Sequence, residues 1–371
     1  MLIEVDGSAI EDAAATGKSS AVSRECIENL LLAHHAGKHV VAIGPDPIRV
    51  LDPVAGELSR RAQGALRSIR AQWTEIRGLL GRVRWNMRLG LGPMFDGRSV
   101  AQARKEILHA HLHDFHDQER LSRSVLLGEN LTDAALYLAM GKAFVALHGW
   151  RVQIAFEKQG GGGSTTAPCF AALVSDGRIV LAILDSDKKH PGDRIGGTAA
   201  KVLSIPKQAF QHVHVLHVRF AENLLSSAVY GQAFTGHSGR LAALARLMQA
   251  EARTCAIPWR DHADLKYGLK LFQVRAMAAG APEEAFWSAA AVALQRDRCQ
   301  QVRPAPCGKV EECGCYVTDA LGRDALELAV AWIEPRDPKR NARLLGIALH
   351  TPLGELCEKL LAWGIAPAAR R

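Results

Sequence analysis

The chain has 371 residues, of which 48% are hydrophobic and 23% charged, so it can bury a sizeable core in two or three domains and is not a disordered protein. A formal net charge of +8 favours a polyanionic partner such as nucleic acid over a membrane. No apolar run approaches the roughly 20 residues that span a bilayer, and no secretory signal is recognisable, so we expect a cytoplasmic protein with reduced thiols.

Residues 1–120 are predicted to form a mostly helical region. Between residues 55 and 88, apolar side chains recur every three to four positions, which predicts one long amphipathic helix. A separate sector of that helix carries Arg60, Arg67, Arg70, Arg77, Arg84 and Arg88. This stripe is a candidate nucleic-acid-binding surface, because arginines that neutralise phosphates release counterions; the alternative is the solvated face of a packing helix.

A second helix is predicted over residues 99–121, after a link rich in glycine. It contains several histidines, of which His109 and His113 have the spacing that lets two side chains share a metal ion on one helix face. A polar helix face is the simpler interpretation of the same residues.

Strands and helices alternate between residues 122 and 230. Apolar runs predict strands at 124–128, 146–156, 178–184 and 212–220, and helices are predicted at 131–143, at 167–174 and after a polar loop at 188–197. Blocks of this length imply right-handed crossovers and a parallel sheet, so this region is predicted to be an α/β domain.

Acidic residues follow three of the predicted strands. Glu129 follows the first strand, Asp185 and Asp187 follow the third, and Glu222 follows the fourth. The carboxyl ends of parallel strands converge on one crevice, and converging carboxylates typically bind a hard cation such as Mg²⁺ together with phosphate oxygens. The pattern therefore predicts metal-dependent phosphodiester chemistry.

A glycine run, residues 160–163, precedes Ser164 and the predicted helix. Such a run either cradles a phosphate at the helix N-terminus or forms a plain turn.

These motifs together resemble a known family. Gly-Glu-Asn-x-x-Asp after the first strand, the glycine run, Asp-x-Asp after the third strand and Glu-Asn-Leu-Leu after the fourth look like a Toprim domain. The resemblance covers residues 122–230 and is to the overcoming-lysogenization-defect nucleases and solo Toprim proteins of anti-phage defence. It implies a Rossmann-like parallel sheet core. Beyond residue 230 the sequence pattern itself becomes mostly helical, so residues 231–371 are predicted to form a mostly helical C-terminal region.

The resemblance also implies residue roles. It assigns metal binding, by Mg²⁺ or Mn²⁺, to Glu129, Asp133, Asp185, Asp187 and Glu222, and catalysis to Glu129, Asp185 and Asp187, with Glu129 as a possible general acid or base. Two such ions would activate a water and stabilise the leaving 3′ oxygen. Leu224 departs from the family pattern, where relatives often carry Tyr, and we expect this to affect packing.

Two further features concern the rest of the chain. Lys266 lies in a segment similar to one that follows the Toprim core in related defence proteins, which implies a catalytic ammonium beside the scissile phosphate; a surface lysine is the alternative. The chain has no Walker A sequence, so the ATPase half of the full-length family is absent and the chain is expected to act alone or with a separate partner protein.

Four cysteines lie within seventeen residues: Cys299, Cys307, Cys313 and Cys315. In a reducing compartment such a cluster suggests a structural Zn²⁺ site, although paired C-x2-C spacing is missing and unligated thiols are the alternative. The other cysteines, Cys26, Cys169, Cys255 and Cys357, are expected to be buried small side chains.

The predicted function is therefore a metal-dependent endonuclease that cleaves DNA or RNA, which the resemblance places in anti-phage defence. One alternative is a specialised Toprim hydrolase that processes RNA or cleaves transfer RNA. Another, from a different class, is a non-catalytic regulatory protein that binds nucleic acid.

Overall fold

A computed structural model describes residues 1–102, 105–208, 210–253, 256–299, 314–347 and 351–368. The chain forms two compact units, of which the first comprises residues 1–183, 202–214 and 347–371 and the second comprises residues 184–201 and 215–346. These boundaries differ from the predicted regions 1–120, 122–230 and 231–371, because the chain leaves the first unit after residue 183 and returns to it twice.

The first unit begins with a five-stranded sheet. Its strands are β1 (Leu2–Val5), β2 (Val40–Ala42), β3 (Trp85–Gly90), β4 (Ser99–Gln102) and β5 (Lys105–His111), in the order β2-β1-β3-β5-β4. All neighbours are parallel except β4, which runs antiparallel to β5. The helices of this part are α1 (Gly7–Ala14), α2 (Lys18–His35), α3 (Pro45–Leu51), α4 (Arg60–Ala71) and α5 (Trp73–Arg82).

The prediction of a mostly helical N-terminal region with one long basic helix is wrong in two places. The predicted helix over 55–88 is divided into α4, α5 and the strand β3, because Gln72 ends one helix and the chain leaves α5 to pair with β1. The predicted helix over 99–121 forms β4, β5 and two short 3₁₀ turns. Pairing of β5 with β3, in a register that places Glu106 opposite Trp85, outweighs the local helical pattern.

A second, four-stranded sheet follows, in the order β10-β9-β6-β8, from β6 (Val125–Gly128), β8 (Glu157–Gly160), β9 (Val180–Leu184) and β10 (Gln211–Val215). β6 is parallel to both β8 and β9. Every residue of β9 is buried, as expected of a strand covered on both faces. The predicted α/β class with a parallel sheet core is confirmed.

The helices around this sheet are α6 (Leu131–His148), α7 (Thr166–Ser175) and α8 (Gly197–Leu203). α6 is apolar on most of its circumference and largely buried, and it ends at Gly149 in the left-handed conformation. The strand predicted at 146–156 is incorrect, because α6 continues through His148 and is followed by β7 (Val152–Ile154), ahead of β8.

The chain ends in the first unit with α16 (Pro352–Gly364) and β13 (Ile365–Pro367), a strand that pairs antiparallel with β7. A hypothetical Cβ at Gly141 on α6 would lie 3.3 Å from Leu360 on α16, so the absence of a side chain allows the two helices to pack closely.

The second unit is mainly helical. Its helices are α9 (Ser227–Ala233), α10 (Ser238–Glu251), α11 (Trp259–His262), α12 (Leu271–Arg275), α13 (Pro282–Ala293), α14 (Ala325–Ile333) and α15 (Pro338–Leu345). A two-stranded antiparallel ribbon joins β11 (Leu269–Lys270) and β12 (Tyr316–Thr318). Within the described ranges, no helix combines the length and apolar character that crossing a bilayer requires.

Candidate functional site

The predicted site residues Glu129 and Asp133 lie at the junction of β6 and α6, in the first unit. Asn130 is the N-cap of α6: its Oδ1 accepts from the Asp133 amide at 2.9 Å, and Asp133 Oδ2 accepts from the Asn130 amide at 3.1 Å. This reciprocal pair is a capping box. Asp133 is 3% exposed, so its carboxylate has a structural role in starting α6. Glu129 is half-buried.

The glycine run packs against the same junction. The amides of Gly162 and Gly163 donate to the Glu129 carbonyl at 2.9 and 3.2 Å. A Cβ at Gly160 would lie 2.8 Å from the Leu131 amide nitrogen, and both Gly162 and Gly163 have positive φ. The run is therefore a tight turn that fixes the Glu129 backbone. Because two of its amides already donate to the Glu129 carbonyl, the turn interpretation is favoured over a phosphate cradle.

Asp185 and Asp187 begin the second unit, directly after β9. Asp185 is 7% exposed and its Oδ1 accepts from the Ala221 amide at 3.0 Å. Asp187 is half-buried and has a φ of 55°, which is uncommon for a residue with a side chain. A Cβ at Gly196 would lie 2.0 Å from Asp187 Oδ2, so this turn requires glycine at position 196.

Glu222 lies next to Ala221 in a 3₁₀ turn and forms an ion pair with Lys266. The Nζ of Lys266 is 3.1 Å from Glu222 Oε1; the Glu222 side chain is 3% exposed and that of Lys266 is 30% exposed. Burial raises the pKa of Glu222 above its ordinary value, and the Lys266 ammonium opposes that shift. The other oxygen, Oε2, is buried and accepts no hydrogen bond from the described residues. The structure thus pairs two predicted site residues, Glu222 and Lys266, and places a third, Asp185, against the same turn through the Ala221 amide.

Several supporting residues were not identified from the sequence. Asn223 donates from Nδ2 to the carbonyls of Arg260 and Ala263, at 2.8 and 3.0 Å, and thereby holds the Glu222 turn against α11. Arg219 lies 3.6 Å from Asp264, with its guanidinium carbon 4.7 Å from the centre of the Phe220 ring. No motif signals Arg219, because its carboxylate partner, Asp264, is 45 residues away in the chain.

The residues fit a hard cation in part. Across the described part of the chain, no three His, Cys, Asp or Glu side chains are grouped so as to hold a metal ion by themselves. The buried Oε2 of Glu222 accepts no hydrogen bond from the described residues, and a cation bound there would compensate the cost of its burial. Oxygen donors from Asp185 and Glu222 are the type that Mg²⁺ and Mn²⁺ bind.

The six predicted nucleic-acid-binding arginines do not share one helix. Arg60, Arg67 and Arg70 are on α4 and Arg77 is on α5, whereas Arg84 follows α5 and Arg88 is on β3. Arg70 pairs with Asp52 at 2.6 Å, Arg88 pairs with Asp6 at 2.6 Å, and Arg84 stacks on Trp85. The predicted stripe is therefore corrected to a shorter set of exposed arginines on α4 and α5. The histidine pair proposed for a helix also fails, because His109 lies on β5 and His113 in a 3₁₀ turn.

The cysteine cluster is described in part. Cys299 and Cys315 are half-buried, and their sulfurs are 3.7 Å apart, which is too far for a disulfide. Cys307 and Cys313 lie outside the described residues, as does Cys255. Cys26 and Cys357 are fully buried, as predicted, and Cys169 is half-buried. Burial raises the pKa of the Cys26 thiol to about 11.

Comparison with known proteins adds no relative: no protein-family model, curated protein or solved structure matches the chain.

Proposed function

We propose that the chain is a Mg²⁺- or Mn²⁺-dependent nuclease of the Toprim type that cleaves phosphodiester bonds of DNA or RNA. The observation that carries the proposal is the buried Glu222 carboxylate, which has one oxygen on Lys266 and the other without a partner among the described residues, next to the turn that binds Asp185. Order and spacing of the acidic motifs along the chain support the same assignment.

The proposal gives each residue a distinct task. Asp185, Asp187 and Glu222 would hold the cation, while Asp133 would keep Glu129 at the start of α6. The bound cation would lower the pKa of a water and neutralise charge on the phosphate. Lys266, being partly exposed, would place its ammonium against the phosphate. The assignment of proton transfer to Glu129 rests on the family resemblance alone. An anti-phage role is part of the proposal and rests on the family resemblance.

The decisive experiment compares the wild-type chain with Asp185→Asn on supercoiled plasmid, single-stranded DNA and total RNA that includes transfer RNA. Each substrate is tested with Mg²⁺, Mn²⁺ and EDTA. Glu334→Gln is the matched control, because Glu334 is an exposed carboxylate at the end of α14. We expect cation-dependent cleavage that Asp185→Asn lowers by about 100-fold or more and that the control retains.

One observation favours the second candidate, a non-catalytic protein that binds nucleic acid. Oε1 of Glu222 is already paired with the Lys266 ammonium, which leaves one oxygen fewer for a cation. Binding of these substrates without cleavage under any condition would favour this candidate. Cleavage restricted to transfer RNA or to one RNA precursor would instead identify the specialised RNA hydrolase.

A further inference from the structure

The second unit contains a cavity of about 340 Å³ whose lining is strongly basic. Four arginines line it: Arg246, Arg253, Arg296 and Arg298. Among the described lining residues, the one acidic side chain is Asp319, so three positive charges are in excess. Like charges around one small volume repel each other, and a bound anion would reduce this repulsion.

Two of the arginines are fixed in place by Asp319. The side chain of Asp319 is 2% exposed; its Oδ1 accepts from Arg246 Nε at 2.6 Å and its Oδ2 accepts from Arg296 at 2.8 Å. Arg296 also donates to the carbonyls of Val317 and Arg246, at 2.9 and 2.8 Å. A buried carboxylate that positions two guanidinium groups at a cavity is a preorganised arrangement, since neither group must be ordered when an anion binds.

The other two arginines complete the basic lining. Arg253 is exposed, and the side chain of Arg298 is 93% exposed; among the described residues its ion pair is a loose contact of 3.8 Å to Asp297. These two guanidinium groups therefore remain available to solvent and to a ligand, whereas those on Asp319 are held.

We propose that this cavity binds phosphate groups. The planar guanidinium donates two parallel hydrogen bonds to phosphate oxygens, and it retains its charge at every physiological pH. An anion with at least two negative charges would offset most of the excess charge of the lining. A nucleic-acid strand and a free nucleotide both present such phosphate groups. The cavity lining includes none of the acidic residues assigned to catalysis, so this proposal does not depend on cleavage.

The test is binding in EDTA, so that cleavage plays no part. Fluorescent single-stranded DNA and RNA are titrated by anisotropy, and inorganic phosphate, pyrophosphate and ATP by calorimetry. The test variant is Arg253→Glu/Arg298→Glu, which leaves the Asp319 network intact, with Arg253→Ala/Arg298→Ala in reserve should the first variant unfold. The control is Arg340→Glu/Arg343→Glu, because both arginines are exposed on α15 in the same unit.

We expect the test variant to weaken binding about tenfold or more and the control to leave it unchanged. If the ligand is a strand, the salt dependence of oligonucleotide binding should also become shallower, by about two released counterions. Loss of pyrophosphate or ATP binding with unchanged oligonucleotide binding would identify a free nucleotide instead. Wild-type affinity of the test variants for every probe, or no binding of any probe by the wild type, would overturn the proposal. Cleavage is measured in separate assays, so the nuclease proposal can be refuted without refuting phosphate binding in the cavity.

Discussion

The ion pair between Glu222 and Lys266 gives the sharpest quantitative prediction. Replacing Lys266 with Met removes the ammonium but leaves a carboxylate that is 3% exposed. Breaking a buried pair from one side costs about 3–5 kcal/mol of the free energy of unfolding, because the remaining charge is desolvated without compensation. Lys266 is 30% exposed, so water can partly replace it, and we expect a cost of about 3 kcal/mol near neutral pH.

The pairwise part of this cost can be worked out from the geometry. At 3.1 Å and an effective dielectric constant of about 20, two unit charges attract by about 5 kcal/mol. Solvent around the exposed lysine lowers this, so a double-mutant cycle with Glu222→Gln should give a coupling of about 2 kcal/mol. The double variant should then be more stable than Lys266→Met alone.

The coupling should also depend on pH in a defined direction. The folded-state pKa of Glu222 lies above its ordinary value of 4.5, mainly because of burial. The folded protein therefore binds a proton on the Glu222 carboxyl more tightly than the unfolded chain does. The stability that this tighter proton binding contributes is fully present below pH 4.5 and is lost as pH rises through the folded pKa of Glu222. Once the carboxyl is protonated it carries no charge, and Lys266→Met should then cost little.

The assay is urea unfolding of the wild type, both single variants and the double variant, near pH 8 and near pH 4, with a common slope required for a valid comparison. A coupling below about 0.5 kcal/mol near pH 8 would contradict the inferred ion pair. A coupling that persists undiminished near pH 4 would show that its origin is not the Glu222 charge.

Three further predictions concern other parts of the second unit. Gly196→Ala would place a Cβ 2.0 Å from Asp187 Oδ2 and should lower stability by about 1–3 kcal/mol and cleavage by about tenfold, while Gly192→Ala, with its nearest atoms at 3.6 Å, should behave as wild type in both assays. Asn223→Ala removes two hydrogen bonds to backbone carbonyls and should cost about 1–3 kcal/mol in urea unfolding; an unchanged midpoint would show that Asn223 does not hold the Glu222 turn. We also propose that the cysteine cluster binds structural zinc, because the Cys299 and Cys315 sulfurs, 3.7 Å apart, match the edge of a tetrahedron with Zn–S bonds of about 2.3 Å. Elemental analysis should find about one zinc per chain in the wild type and less in Cys299→Ser. A metal-free wild type purified without chelator would refute this.

The sequence predicts those strands of the fold whose signal is local. β6 and β9 are short apolar runs bounded by turn residues, and both were found within two residues of their ends. The sequence predicts a helix where β5 lies, because β5 is a strand only through its pairing with β3, and the register of Glu106 opposite Trp85 has no local signature. Long-range pairing therefore decides the structure wherever the local pattern is ambiguous.

The same distinction applies to the candidate site. Asp185 and Asp187 directly follow an apolar run in the sequence, so their position at the end of a buried strand is predictable. The proximity of Lys266 to Glu222 is not predictable from local sequence, because 44 residues separate them. Gly196 carries an ordinary turn signal in the sequence, and only the structure shows that the Asp187 carboxylate occupies the space of its missing side chain.

The ion pairs show which of the positive charges behind the net charge of +8 are neutralised within the protein. In the predicted arginine stripe, Arg70 and Arg88 each have a carboxylate partner at 2.6 Å, so part of the stripe is neutralised within the protein. Four arginines line the cavity of the second unit, and two of them, Arg246 and Arg296, are paired with its one described acidic lining residue, Asp319. Because a polyanion responds to uncompensated charge, the cavity is a stronger candidate for phosphate binding than the predicted stripe.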